Sequence, residues 1–155
     1  VAGAGIAAGQ GPPHHDGMRL PDAVTLRFAR GALLAWEPPA PRPRAPAVLL
    51  LHGAAAGAWV WAEGFGARLA AAGHPVFAPG FNRGSPAAPA GLADFAEDAR
   101  AALAAIRRPA VLVGHSLGGL VAQRLLADPA VIGCALLAPV PPEGLAWSNW
   151  RLAMA

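Results

Sequence analysis

Ser116 has a glycine two residues before it and another two residues after it, in the run Gly114-His115-Ser116-Leu117-Gly118. The apolar stretch Ala110-Val111-Leu112-Val113 leads into this run, and an amphipathic stretch follows it. Lifting a serine clear of a sheet between a strand and a helix demands a very sharp turn with strained backbone angles. Side chains at 114 and 118 would then collide with neighbouring backbone, and Gly119 leaves room for the helix to pack close to its strand. A helix opening at the serine has unpaired N–H groups at its start, so the Leu117 N–H can donate to developing negative charge. The chemistry such a turn supports is nucleophilic attack by Ser116 on an acyl carbon. The plainer alternative is a helix-capping serine in a glycine-rich loop, and the strand before and helix after argue against it.

An oxyanion needs a second donor, which in such arrangements comes from the loop after an earlier strand. Leu49-Leu50-Leu51-His52-Gly53-Ala54 provides that loop. The Ala54 N–H is the candidate donor, and Gly53 lets the backbone turn its N–H groups inward.

These loops require elements to hold them. The segment 23–39 reads as a hairpin broken at Arg30-Gly31, and the proline-rich 40–46 as an extended surface linker. Residues 47–51 form a continuous apolar run suited to a strand covered on both faces. Trp61, Phe65 and Leu69 recur at helical spacing within 59–73, and Gly73 fits a C-cap. Residues 74–79 read as a strand, followed by a loop over 80–91. In 92–107, Leu92, Phe95, Ala99, Leu103 and Ile106 line one helical face, while Asp94, Glu97, Asp98 and Arg100 lie mostly off it. Pro109 stops that helix. A strand over 110–114, a helix over 117–127 and a strand over 131–140 complete the series, and 141–155 opens a further helix. This alternation predicts an α/β fold, with a mostly parallel sheet and helices on both faces. Such folds carry their chemistry on loops at the carboxyl ends of strands, where 52–57 and 114–119 both fall.

The 155 residues, 55% of them hydrophobic and 14% charged, describe a globular chain with a sizeable core. We read 1–21 as a flexible leader with a natural start near Met18, and 22–155 as one domain. All 12 basic residues are arginine, scattered along the chain, and the net charge is +3. That pattern gives no nucleic-acid stripe. No stretch is long and apolar enough to cross a membrane. The single cysteine, Cys134, favours a reducing, cytoplasmic compartment and reads as a small core hydrophobe. Trp61 fits a helix core face, Trp59 is a candidate wall for an acyl pocket, and Trp147 and Trp150 suit lid packing.

Taken together, the stretches 49–53, 69–79 and 111–120, with 135–145 after them, resemble the α/β-hydrolase superfamily, in particular its bacterial serine esterase and lysophospholipase-like members. The likeness runs from about Ala23 to Ala155 and covers the family's amino-terminal half. It implies a fold truncated after the strand that follows the nucleophile helix, with a lid beginning near the end. It further implies a serine hydrolase acting on a small carboxylic ester or other acyl substrate through an acyl-enzyme, without metal or organic cofactor. Residues 81–86 depart from the arginine-glycine-histidine-glycine loop that many members carry. The family's order is serine, then acid, then histidine, and no histidine follows His115. His115 points away from Ser116 on such a turn, His74 sits at the opposite end of its strand, and His14 and His15 are in the leader. His52 is nearer and is the one candidate for a substitute base, but its family role is to shape the oxyanion loop. Glu143 stands where some relatives place the acid, yet reads better as an exposed turn residue. The 155 residues are therefore expected to lack base and acid, to be inactive alone, and to self-associate. The competing expectation is a non-catalytic relative that binds a small apolar ligand or a partner chain.

Overall fold

The computed structural model describes residues 20–82 and 84–142. Most of the expected leader lies outside these residues, as do Glu143, Trp147, Trp150 and the start of the expected lid. The chain runs through β1 (Val24–Phe28), β2 (Gly31–Trp36), β3 (Ala47–Leu51), α1 (Phe65–Ala71) and β4 (Val76–Pro79). It continues through the short pair β5 (Gly84–Ser85) and β6 (Ala88–Pro89), then α2 (Leu92–Ile106), β7 (Ala110–His115), α3 (Leu117–Arg124) and β8 (Val131–Leu137).

The main sheet has the order β1-β2-β4-β3-β7-β8. The β1–β2 hairpin is antiparallel and docks antiparallel on β4, whereas β4, β3, β7 and β8 are mutually parallel. From β3 the chain first steps outward to β4, then crosses back to place β7 on the other side of β3. The order reverses between β3 and β7, which is where open α/β sheets form their ligand crevice.

The centre of the sheet is covered on both sides, as the all-apolar β3 requires. All five of its residues are buried, and their alternation sends Leu49 and Leu51 one way and Val48 and Leu50 the other. Leu49 and Leu51 join Leu112, Ala99, Leu103 and Val121 under α2 and α3. Leu50 joins Trp36, Val76, Trp61, Ala70 and Val113 under α1 and a 3-10 turn over Ala58–Trp61. Helix α1 lies so close to the sheet that a Cβ on Gly66 would stand 2.9 Å from the Trp36 ring.

Several expected elements change length. The helix expected over 59–73 divides into the 3-10 turn and α1, because Gly64 takes a left-handed φ of 104° that a continuous helix cannot contain. Helix α3 ends at Arg124 and β8 at Leu137, each three residues short of expectation. Helix α2 keeps its apolar face, with Leu92, Phe95 and Ile106 packed against the core. Its Asp94 caps the start by accepting the Gly91 N–H at 2.8 Å. Asp98 departs from expectation: it is fully buried, held by Arg30 from the β1–β2 turn. That hydrogen bond and the Asp98 charge raise the Arg30 pKa further above its ordinary value. Cys134 packs against the α2–α3 side of the core, and burial raises its thiol pKa, in keeping with a structural role.

Among the described residues β8 pairs with β7 alone. Ile132, Leu136 and Leu137 on it are exposed. No described helix is long and apolar enough to cross a membrane.

The two-sided burial of β3 sets a quantitative expectation. Leu49→Ala should lower the unfolding free energy by about 2–5 kcal/mol, as for other fully buried leucines. Leu26→Ala, on the exposed face of β1, should lower it by less than about 1 kcal/mol. Urea denaturation of both variants checks this, and equal losses would contradict the layered core.

Candidate active site

Ser116 sits between the last residue of β7 and the first of α3 with φ 54° and ψ −118°, a conformation that L-residues avoid. Strain of this kind costs about 1–3 kcal/mol and persists only where the surroundings over-determine it. Here they do. The Ser116 N–H donates to the Leu137 carbonyl at 3.1 Å, and the Ser116 carbonyl accepts N–H bonds from Gly119 at 3.0 Å and Val140 at 3.0 Å. The turn is thus clamped by its own helix and by the end of β8.

The glycines make that clamp possible. A Cβ on Gly114 would lie 2.4 Å from the Gly118 carbonyl oxygen. One on Gly118 would lie 2.1 Å from the Leu51 carbonyl oxygen and 2.7 Å from that of His52. One on Gly119 would meet Pro139 at 2.7 Å. Gly118 therefore packs the start of α3 directly onto the end of β3. The register of β3 on β7, with Leu51 opposite Gly114, brings the two loops side by side. Gly53 accordingly faces the sharp turn at Ser116, the elbow between β7 and α3: a Cβ there would be 3.2 Å from Ser116 Cβ and 3.3 Å from His115 Nδ1.

Leu117 and Ala54 supply the two candidate donors. As the first residue of α3, Leu117 has no intrahelical acceptor for its N–H. The Ala54 N–H belongs to the same peptide unit as the Gly53 carbonyl, and the two point in opposite directions because the unit is planar and trans. The Gly53 carbonyl is fixed by His52 Nδ1 at 2.8 Å and the Ala56 N–H at 3.2 Å. Fixing it aims Ala54.

The histidines divide by environment. His52 is buried and its two ring nitrogens are engaged, Nδ1 with the Gly53 carbonyl and Nε2 with the Phe81 N–H at 3.3 Å. Its ring also packs on that of Phe81, with centroids 4.5 Å apart. That arrangement suits a loop-shaping histidine and leaves it no nitrogen for Ser116. His115 is exposed, its ring lying against Gly53. His74 precedes β4 at the opposite end of the sheet, with Nδ1 3.3 Å from the Pro46 carbonyl oxygen. Trp61 is in the core as its spacing indicated, whereas Trp59 is exposed and rests on Gly57. Among the described residues no group of His, Cys, Asp and Glu could hold a metal ion.

A cavity of about 600 Å³ lies at the far end of the sheet, away from Ser116, between the loops that lead into β3 and β7. Arg42, Arg44, Arg107 and Arg108 line it. Their convergence is not visible in the sequence, because the pairs stand more than 60 residues apart. The cavity plays no part in the elbow.

The close approach of α3 to β3 yields a test. Gly118→Ala forces backbone to move against backbone, so either the Ser116 turn or the loop after β3 must shift. The variant should lose about 2 kcal/mol or more of stability by overpacking, read as a lower urea midpoint. An unchanged midpoint would show that the two loops are not in contact.

Comparison with known proteins places this geometry. Residues 48–155 match the model of the alpha/beta hydrolase family. No curated protein matches. Among solved structures, the fold is similar to brefeldin A esterase, described as a bacterial homologue of human hormone sensitive lipase, with TM-score 0.64 and 20% identity over 92% of this chain and 47% of that one. It is similar to a thermostable carboxyl esterase from Bacillus coagulans, with TM-score 0.60 and 17% identity over 87% and 49% of the two chains. It is also similar to the bottromycin epimerase BotH, with TM-score 0.57 and 25% identity over 76% and 48%. The chain thus spans about half the length of these structures. With the family model covering nearly all of the parallel strands and both loops that meet at Ser116, the chain belongs to the alpha/beta hydrolase family.

Proposed function

We propose that these residues form the nucleophile half of a serine hydrolase that cleaves carboxylic esters. The observation that carries the reading is the strained Ser116 backbone at the strand-to-helix turn, against which the Gly53 loop packs. In the reaction Ser116 Oγ adds to the ester carbonyl carbon while a base removes its proton. The carbonyl oxygen becomes an oxyanion, stabilised by the Leu117 and Ala54 N–H groups. Collapse expels the alcohol, which takes up the proton from the base, and leaves an acyl-enzyme. Water then adds to the acyl carbon, releasing the acid and restoring Ser116. Because both nitrogens of His52 are engaged, the base and its acid partner are proposed to come from sequence outside these 155 residues. The substrate is a small ester or related acyl compound, and no cofactor is called for.

A second reading is a relative that binds without hydrolysing. The engaged His52 favours it, since it leaves no ring nitrogen for Ser116. Activity-based labelling separates the two. In the full-length protein a fluorophosphonate should label Ser116, and Ser116→Ala should abolish labelling and lower ester turnover by at least about 10³-fold. Labelling that survives at Ser85 or Ser148 would contradict the assignment.

Association is proposed from the sheet edge. Among the described residues the outer side of β8 pairs with no strand, and Ile132, Leu136 and Leu137 on it are 59%, 41% and 38% exposed. The 155 residues expressed alone should self-associate, as read by analytical ultracentrifugation, and the full-length protein should do so less. A monodisperse monomer from the 155 residues would contradict this.

A further inference from the structure

We propose that Asp98 is a positioning residue for the oxyanion donor at Ala54, acting through Asn82, Phe81 and His52. The inference rests on the reading of Ala54 as that donor. A buried carboxylate on the core side of an amphipathic helix is costly to desolvate, and alanine would serve packing there equally well. Neighbouring Ala99 and Ala102 do so.

The relay follows from where β4 ends. Pro79 is the last β4 residue paired with β2, and the Gly80 N–H still reaches the Ala32 carbonyl at 3.2 Å. Beyond Gly80 the chain leaves the sheet, and its next two N–H groups need acceptors. The Phe81 N–H finds His52 Nε2 at 3.3 Å, and the Asn82 N–H finds Asp98 Oδ2 at 2.7 Å. Asp98 Oδ1 is occupied by Arg30 Nε at 2.5 Å. A nitrogen that accepts from Phe81 carries no proton, so the His52 proton sits on Nδ1. From there it is donated to the Gly53 carbonyl at 2.8 Å. That carbonyl orients the Ala54 N–H across its planar peptide.

Helix α2 grips the relay twice. One turn before Asp98, the Phe95 ring stacks on Phe81 with centroids 5.3 Å apart, and Phe81 packs on His52 at 4.5 Å. The ring stack holds the Phe81 side chain, and the carboxylate fixes the direction of the adjoining main chain. Asp98 also ties this segment to the β1–β2 turn through Arg30, so a purely structural latch is the competing account.

Charge geometry separates the two accounts. In Asp98→Asn a single amide oxygen replaces two acceptors. The charged Arg30 donor takes it, leaving the amide NH₂ facing the Asn82 N–H. The double variant with Arg30→Met frees that oxygen for Asn82 and leaves no orphaned ion. In the full-length protein, Asp98→Asn should lower kcat on p-nitrophenyl esters by about tenfold or more with KM changed less than about threefold, the pattern of a transition-state donor misplaced. The double variant should recover kcat to within about threefold of the parent, although the Arg30 tie is gone. Ring ¹⁵N NMR of His52 should show the Nδ1–H form in the parent and the double variant, and a mixture of tautomers in Asp98→Asn. If Asp98→Asn fails to fold, the double variant and Arg30→Met alone carry the test. Both should keep the parent tautomer under the relay, and loss of it in either would overturn the proposal. An unchanged tautomer and kcat in folded Asp98→Asn would overturn it too, as would a double variant as impaired as the single. If the parent shows no Ser116 labelling and no turnover, the hydrolase reading has failed, and the His52 spectrum still decides the relay.

Discussion

Where α3 begins there is no space for a side chain between it and the end of β3, and the site depends on that constraint. Gly118 touches the carbonyl oxygens of Leu51 and His52, Gly114 touches the Gly118 backbone, and Gly53 faces Ser116. Bringing three backbone segments this close leaves Ser116 a positive φ, which the bonds from Leu137, Gly119 and Val140 hold in place. The strained serine and the position of the adjacent His52-Gly53 loop are therefore consequences of one packing contact.

The remainder of the fold supplies rigidity to that contact. Burying β3 on both faces fixes the height of its carboxyl end relative to β7, and α2 and α3 pack on the side where Leu49, Leu51 and Leu112 point. The β1–β2 hairpin looks remote from the chemistry. Through Arg30 it nevertheless meets Asp98, and through Asp98 it meets the chain leaving β4. Loops positioned by a rigid scaffold can be functional without being flexible, and here the loops after β3, β4 and β7 brace one another.

Much of this was legible in the sequence because it is written in local patterns. Glycines two residues either side of Ser116, an apolar run before them and a helical pattern after them define a strand–turn–helix from adjacent residues alone. The same holds for β3 and the loop at His52-Gly53. What stayed hidden depends on distant partners. Asp98 reads as a surface residue by helical periodicity, and only the folded β1–β2 turn delivers Arg30 to it, 68 residues away. The break at Gly64 was hidden because an isolated glycine inside a helical pattern can be tolerated or can take a left-handed φ. The engagement of His52 Nε2 depends on Phe81, which the loop after β4 carries back across the sheet end.

The central claim is that Ser116 and the N–H groups of Leu117 and Ala54 converge on one reacting carbonyl. A crystal structure of the full-length protein reacted with an alkyl boronic acid tests it most directly, since the tetrahedral boronate mimics the intermediate of ester cleavage. The account predicts boron bonded to Ser116 Oγ, with one boronate oxygen about 2.7–3.1 Å from both backbone nitrogens. A boronate attached elsewhere, or one on Ser116 whose oxygens reach neither nitrogen, would contradict it.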